Sequence, residues 1–343
     1  MTATDARFEK LRSLGVIDFH FDLPMELYAK RGSPGIFAKS FLPELEAGNI
    51  SIFVAAVYIE DRYLPDKASE VAREQIARLV AEAELSKKAA ICRSYREIEA
   101  ARGAGEIAIL ISMEGAEPIG QDLERLGEFY QLGLRLIGLT HARTNAAAHG
   151  GVFAPSGSSP EGLTDFGRDL VKECERLGII IDLAHINPAG FEEIISMTKR
   201  TPIVSHSNAR RFYDIERNMS DAQIKMIGER GGVIGANSIL VSSRKGESTL
   251  DRYVDHIEHI AGLIGINGVG IGFDFFEFLY VQWSSDEQCE LAAKLAEPQF
   301  IPDLKNHSHA PNLVRKLIER GFSDGDIEKI LFGNWDRILR ELL

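Results

Sequence analysis

The chain has 343 residues, 45% hydrophobic and 26% charged, a composition that excludes a disordered, collagen-like or coiled-coil protein. Its 39 basic and 51 acidic residues give a net charge of −12, which argues against nucleic acid or an anionic membrane surface as a partner. Three cysteines, far apart and without a CxxC pair, indicate a reducing compartment. Since no apolar run is long enough for a signal or membrane-spanning segment, we predict a cytoplasmic protein.

Short apolar runs alternate with helical patterns along the chain. Their length and Val/Ile/Leu content are typical of parallel strands buried on both faces. The predicted strands are Gly15–Phe21, Ile50–Tyr58, Ile107–Met113, Arg135–Thr140, Gly178–Leu183, Pro202–Ser205, Gly232–Asn237 and Gly268–Phe273. The predicted helices between them include Asp66–Lys88, Gln121–Leu132, Thr164–Leu177, Asp221–Arg230 and Leu250–Ile264. Thr164 and Ser220 are predicted N-caps of the third and fourth of these helices, and Gly178 is predicted to lie just past the C-terminus of the third.

Eight strands alternating with helices on one continuous chain predict an α/β fold, a single (β/α)₈ TIM-type barrel forming one domain over residues 1–343. Two regions depart from the alternation. Ala146–Glu161 is rich in Gly, Ser and Pro and is predicted to be a loop, and Phe275–Asn312 forms a long excursion after the eighth strand.

Chemically active side chains follow the ends of most of these strands, where barrel enzymes of this type place their active sites. In chain order they are His20 and Asp22 (first strand), Glu114 (third), His141 (fourth), His185 (fifth), His206 (sixth) and Asp274 (eighth). The second and seventh strands contribute no obvious ligand. His149, His307 and His309 are predicted to be solvated loop residues rather than substrate contacts.

His20 and Asp22 lie two residues apart, so they point to one face of an extended strand and suit Zn²⁺ or a similar ion. The alternative is a hydrogen-bonded histidine beside an aspartate that caps the next helix. Glu114 directly follows a buried apolar run, which requires a metal, a helix N-terminus or an ion-pair partner. A lone histidine at a strand end is ordinarily a hydrogen-bonding residue, but His185 and His206 occupy that position on neighbouring strands.

Three histidines and two carboxylates exceed the ligand set of one catalytic zinc. They predict two metal ions about 3.5–4 Å apart, bridged by one carboxylate and a hydroxide that attacks a carbonyl. Glu114 is the expected bridge because its strand lies between the others.

Three further residues have candidate roles beside the metals. Asp274 could move a proton from the bridging water to a leaving amine, or else cap a helix or bind metal. His141 could hydrogen-bond the developing oxyanion, or else contact Asn145 in its own loop. Arg217 could bind a substrate carboxylate, or else be a surface arginine.

With these residues in place, the chain resembles the membrane dipeptidase (renal dipeptidase-like) family of metallopeptidases, in the metal-dependent amidohydrolase superfamily. The resemblance runs nearly end to end and rests on segments that include IDFHFDLP, ISMEGAEPIG, GLTHARTNAAAHG, IIIDLAHI, PIVSHSNAR, ERNMSDAQ and VGIGFDF. It implies that His20 and Asp22 hold one zinc, His185 and His206 the other, and that Glu114 bridges both. It also implies that His141 contacts the scissile carbonyl region and Arg217 the substrate carboxylate, and that Asp274 transfers the proton.

The resemblance implies a dipeptide substrate, often with a D-residue at its carboxyl end. Some positions depart from the family: Phe19 and Phe21 flank the first histidine, Phe276 and Glu277 follow the catalytic aspartate, and Ala184 replaces a serine. The change at Phe276 and Glu277 leaves open a related amidohydrolase acting on an N-acyl amino acid or lactam. A non-catalytic metal-binding barrel is the third hypothesis. A homodimer is possible, but no stretch identifies an interface.

Overall fold

The structure is a computed structural model that describes residues 3–150, 161–244, 246–285, 288 and 298–343. Most of the predicted Ala146–Glu161 loop and part of the Phe275–Asn312 excursion lie outside the described residues.

The strands are parallel in the pairings of β1 with β9, β3 with β4, β4 with β5, β5 with β6, β6 with β7 and β8 with β9. Their bounds are β1 (Val16–Phe21), β2 (Ile50–Tyr58), β3 (Ala89–Ile91), β4 (Ile107–Glu114), β5 (Leu134–Gly138), β6 (Ile180–Asp182), β7 (Ile203–Ser207), β8 (Val233–Ala236) and β9 (Val269–Ile271). The strand order is β2-β1-β9-β8-β7-β6-β5-β4-β3, and β2 also pairs with β4. Eight strands therefore close into a (β/α)₈ barrel, as the alternation predicted, and β3 adds to β4 at its side.

Helices connect these strands along the part of the chain that the structure describes. They are α1 (Ala3–Arg12), α2 (Leu23–Ala29), α3 (Leu42–Ala47), α4 (Ala68–Ser86), α5 (Tyr95–Gly103), α6 (Leu123–Leu132), α7 (Asp165–Leu177), α8 (Pro188–Met197), α9 (Asp221–Glu229), α10 (Leu250–Ile264), α11 (Glu277–Tyr280), α12 (Ala310–Glu319), α13 (Asp324–Glu328) and α14 (Asn334–Leu342). None of these helices combines the length and apolarity that crossing a bilayer would need.

Local sequence signals set several helix boundaries. Thr164 Oγ1 accepts a hydrogen bond from the main-chain N–H of Gly167 at 3.0 Å, and Ser220 forms a capping box with Gln223. Gly178 ends α7 with φ of 78°, a left-handed conformation that favours glycine. These three predictions are confirmed.

Other elements escaped prediction from the sequence. Strand β3 has only three residues, too few to show a periodic pattern, and α2 begins two residues after β1 ends, with no intervening turn signal. The apolar runs also extended some predicted strands beyond their real ends: β9 ends at Ile271, two residues before the predicted end.

The chain divides into two compact units. The first comprises Met1–Phe21, Ala38–Phe53 and Ser205–Arg340, and the second comprises Asp22–Phe37, Val54–Val204 and Glu341–Leu343.

The core of each unit is built on its strands. In the first unit, Phe19 of β1 stacks on Trp335 of α14 with ring centroids 3.6 Å apart, and the indole N–H donates to the carbonyl of Ile271 at 2.9 Å. Gly270 is required here because an added Cβ would come within 2.2 Å of Trp335 Nε1. In the second unit, all eight residues of β4 are buried, as expected of a strand covered on both faces.

His256 of α10 is a fully buried histidine held in its neutral form. Its Nδ1 accepts from the N–H of Ala209 at 3.0 Å, while Nε2 lies 2.9 Å from the carbonyl of Val241, so Nε2 carries the proton. Burial lowers the pKa of His256 to about 4.

Because the pKa of His256 is lower in the folded than in the unfolded chain, the unfolded state takes up a proton first. This contribution to stability is complete above about pH 6.5 and is lost as pH falls toward 4, by up to about 3 kcal/mol. We expect the His256→Leu substitution to flatten this part of the pH dependence, as measured by urea unfolding at pH 7, 6, 5 and 4. If the free energy of unfolding depended equally on pH in the variant and the wild-type protein, a neutral buried His256 would be contradicted.

Candidate metal centre

Three predicted site residues converge within the first unit, at the ends of β1, β7 and β9. The rings of His20 and His206 stack with centroids 3.7 Å apart. Asp274 faces both, with Oδ1 3.8 Å from His20 Nε2 and Oδ2 3.9 Å from His206 Nε2. His20 and His206 are buried, and Asp274 is 16% exposed, so the group faces only a limited opening to solvent.

His206 is oriented by its neighbour in sequence. Ser205 Oγ lies 2.6 Å from His206 Nδ1, and both side chains are buried. A metal bound at Nε2 requires the proton to be on Nδ1, which then donates to Ser205. This is the usual way in which a hydrogen bond on one ring nitrogen prepares the other for a metal.

The backbone of Asp274 adopts an uncommon conformation. Its φ is 57°, in the left-handed region that non-glycine residues rarely occupy and that is concentrated at functional sites. Asn237, at the end of β8, donates from Nδ2 to Asp274 Oδ2 at 2.9 Å. The sequence predicts no ligand at this strand end, because an asparagine after an apolar run is a common turn signal.

Arg217 is 7% exposed, so the surface-arginine alternative is wrong. Its guanidinium donates to the carbonyl of His206 at 2.9 Å, and its own carbonyl accepts from Ser207 Oγ at 3.2 Å. The loop after β7 thus places a buried cation directly beside the histidine cluster.

A second cluster lies within the second unit, at the ends of β4, β5 and β6. His185 Nε2 lies 3.0 Å from Glu114 Oε1, and the rings of His141 and His185 are 4.3 Å apart. His185 has φ of 65°, so it shares the left-handed conformation of Asp274. Asn145, the alternative partner of His141, instead bonds the main chain of its own loop at Leu139, Ala147 and Ala148.

Tyr58, the last residue of β2, also belongs to this site and was missed. Its ring lies 4.7 Å from that of His141, and its hydroxyl accepts from Arg143 at 3.0 Å. Arg143 is further held by Glu117 and Asp61. Burial raises the pKa of Tyr58, so its hydroxyl stays protonated at neutral pH.

Asp22 is buried and directly precedes α2, yet its side chain makes no capping hydrogen bond to that helix. The helix-capping alternative for Asp22 is therefore wrong.

Donor chemistry and spacing in both clusters fit a divalent cation. The candidate ligand atoms of His20, His206 and Asp274 lie within 4.8 Å of one another, as do those of Glu114, His141 and His185. The His–Asp separations of 3.8 and 3.9 Å are too long for hydrogen bonds but match two ligands, each about 2.1 Å from one ion. Imidazole and carboxylate together suit zinc and similar metals.

A (β/α)₈ barrel with imidazole–carboxylate clusters at its strand ends defines a metal-dependent enzyme class. The sequence profile of the membrane dipeptidase family (peptidase family M19) matches residues 7–286. The chain belongs to this family, which implies a metal cofactor.

Among its relatives, a dipeptidase of Claviceps purpurea, tcpJ, is 29% identical over 243 residues, 70% of this chain and 52% of that protein. The chain thus spans about half the length of this relative. Two solved structures share its fold with TM-scores of 0.82, each covering 96% of this chain and 99% of the other. They are a dipeptidase of family M19, 24% identical, and a metallo peptidase from Rhodobacter sphaeroides, 23% identical, bound to a phosphinate mimic of the dipeptide L-Ala-D-Ala.

The Ser205–His206 contact generates a test of the metal centre. We expect Ser205→Ala to weaken Zn²⁺ binding on the order of tenfold, because His206 loses the hydrogen bond that fixes its ring and tautomer. Affinity is measured by competition with a chromophoric chelator. Ser242→Ala, which removes another buried serine hydroxyl of the same unit, is the matched control. Equal affinities for the two variants would contradict the orienting role.

Proposed function

We propose that the chain is a binuclear zinc dipeptidase that hydrolyses the amide bond of small dipeptides, L-Xaa-L-Xaa or L-Xaa-D-Xaa. The observation that carries the proposal is the convergence of imidazole and carboxylate atoms at strand ends, in one cluster in each unit. Family membership supports peptide hydrolysis, and the dipeptide mimic bound by the Rhodobacter neighbour supports a substrate with a D-residue at its carboxyl end.

Five residues are proposed as zinc ligands: His20 and Asp22 for one ion, His185 and His206 for the other, and Glu114 as the bridge. This assignment follows the strand-end positions and the family resemblance rather than the membership of the two clusters. It divides the stacked pair His20 and His206 between the two ions. It places Asp274 and His141 beside the ions and not among their ligands. The short His185–Glu114 separation supports two of these ligands acting at one ion. When bound, the ions would polarise the scissile carbonyl and lower the pKa of water.

The side chains around the metals have distinct proposed roles. Asp274 accepts a proton from the attacking water and delivers it to the leaving amine, with Asn237 fixing the orientation of its carboxylate. His141, packed between the rings of Tyr58 and His185, donates to the developing oxyanion. Arg217 binds the substrate carboxylate through its planar fork of donors. The cytoplasmic location and the possible homodimer stay predictions of the sequence.

The decisive experiment is reconstitution with Zn²⁺ followed by a panel of L,L and L,D dipeptides and N-acetyl amino acids. We expect two equivalents of bound zinc and cleavage of L-Ala-D-Ala. Asp274→Asn should lower kcat at least about 100-fold, because the proton carrier is lost, while zinc stays bound. Asp255→Asn on α10, which alters a half-buried ion pair with Arg320, is the control and should retain activity.

The panel also separates the competing hypotheses. Cleavage of N-acetyl amino acids without any dipeptide cleavage would favour the related amidohydrolase. Zinc binding without hydrolysis of either class would favour a non-catalytic barrel.

Arg217 gives an independent test of substrate binding. We expect Arg217→Lys to raise KM for L-Ala-D-Ala on the order of tenfold, because lysine cannot make a bidentate contact with a carboxylate. The KM for L-Ala-D-Ala amide, which lacks that carboxylate, should change much less. Arg210→Lys alters an arginine whose guanidinium donates to main-chain carbonyls of the same loop, and it should affect both substrates alike. Parallel changes for both substrates in Arg217→Lys would contradict the assignment.

A further inference from the structure

Asp18 is a fully buried carboxylate in the middle of β1, two residues before His20, and it has three hydrogen-bond partners. Its Oδ1 accepts from the main-chain N–H of Phe273 at 2.9 Å and of His20 at 3.3 Å. Its Oδ2 lies 2.7 Å from Nε2 of His307, a residue 289 positions later in the chain. His307 is 1% exposed, so the prediction that it is a solvated loop residue is wrong.

The hydrogen bond from Phe273 joins β1 to the segment that follows β9, close to where both strands deliver site residues, while the bond from His20 stays within β1. The β1–β9 ladder registers Asp18 against Ile271, and β9 ends at Ile271. Beyond that point, Asp274 N–H reaches the carbonyl of His20 only at 3.4 Å. The carboxylate of Asp18 therefore supplies the shorter link between the main chain before Asp274 and the main chain of His20.

His307 packs tightly on the residues that flank the site. Its ring lies 4.5 Å from that of Phe21, which follows His20, and 5.0 Å from that of Phe275, which follows Asp274. The ring of Phe273, the residue before Asp274 in sequence, lies 6.1 Å from the ring of His307. These aromatic neighbours offer no hydrogen bond from a polar side chain, so the imidazole and Asp18 form a polar pair in an apolar setting.

The turn that carries His307 is itself firmly anchored. Asn306 donates to Glu44 of α3 at 3.0 Å, and its Oδ1 accepts from the N–H of Ser308 at 3.1 Å. Gly48 approaches so closely that an added Cβ would lie 2.0 Å from the carbonyl oxygen of His307. The imidazole is thus a fixed donor rather than a mobile loop side chain.

We propose that His307 is a positioning residue of the metal centre, and this rests on the proposed function of that site. By donating to Oδ2, His307 fixes the rotation of the Asp18 carboxylate. The fixed carboxylate then holds the main chain of His20 and of Phe273, and with them the metal-facing directions of His20 and Asp274. Without His307, Oδ2 of the buried Asp18 carboxylate loses its side-chain hydrogen-bond donor. Because a buried carboxylate oxygen without its donor is costly, we expect the carboxylate to move from its position.

The test uses the full chain and reads zinc binding and geometry as well as catalysis. His307→Leu removes the donor, and His307→Gln keeps an N–H donor of similar reach. His256→Leu is the matched control, because it removes an equally buried histidine of the same unit that has no bond to Asp18. Zn²⁺ affinity is measured by chelator competition, geometry by the visible spectrum of the Co²⁺-substituted protein, and kcat and KM with L-Ala-D-Ala.

We expect His307→Leu to weaken Zn²⁺ affinity about tenfold or more, to alter the Co²⁺ spectrum and to lower kcat with little change in KM. His307→Gln should recover most of the affinity and the wild-type spectrum. His256→Leu should lower the melting temperature while leaving the affinity and spectrum unchanged.

A His307→Leu protein that is merely less stable, with wild-type affinity and spectrum, would overturn the proposal. So would an equal loss of affinity in His256→Leu. If His307→Leu does not fold, the Gln variant decides: wild-type affinity supports the proposal, and a tenfold loss in a folded protein overturns it. Because zinc affinity and the Co²⁺ spectrum need no turnover, failure to cleave dipeptides would count against the proposed function alone.

Discussion

A parallel strand buried on both faces can hold charged side chains only where it ends or where each charge has a fixed partner. Every residue of β4 is buried, and its only ionisable side chain is the terminal Glu114. The same constraint places His206 near the end of β7 and Asp274 just beyond β9. The barrel thus concentrates its chemistry at one set of strand ends because its interior excludes unpaired charge.

Asp18 illustrates the second case, a charged group inside a strand that is held by fixed partners. It lies inside β1 rather than at its end, and three donors surround its carboxylate. The bond from Phe273 also connects β1 to the segment that follows β9, beside a ladder that registers Asp18 with Ile271. A polar group that is costly to bury therefore serves as a link between the elements that carry His20 and Asp274.

Backbone conformation contributes as much to the site as side-chain identity. His185 and Asp274 both adopt positive φ, at a cost of order 1–3 kcal/mol each in isolation. Surrounding bonds hold both residues: Thr140 Oγ1 donates to the carbonyl of His185, and Asn237 holds the Asp274 carboxylate. Phe19 and Phe21, which flank His20 in sequence, pack on Trp335 and on Phe53.

From the sequence alone, apolar runs and their alternation with helices were enough to predict the barrel, and the polar residues that end those runs were enough to name His20, Glu114, His185, His206 and Asp274. These signals are local, since each depends on a few consecutive residues. The partners of the site were not predictable in this way. Asn237, Tyr58 and His307 contribute through contacts with residues distant in sequence, and an isolated Asn, Tyr or His carries no local pattern that distinguishes a site partner from a turn or loop residue. Only the tertiary structure brings His307 to Asp18, because the two residues lie 289 positions apart in the chain and the contact depends on how the chain between them folds back onto β1.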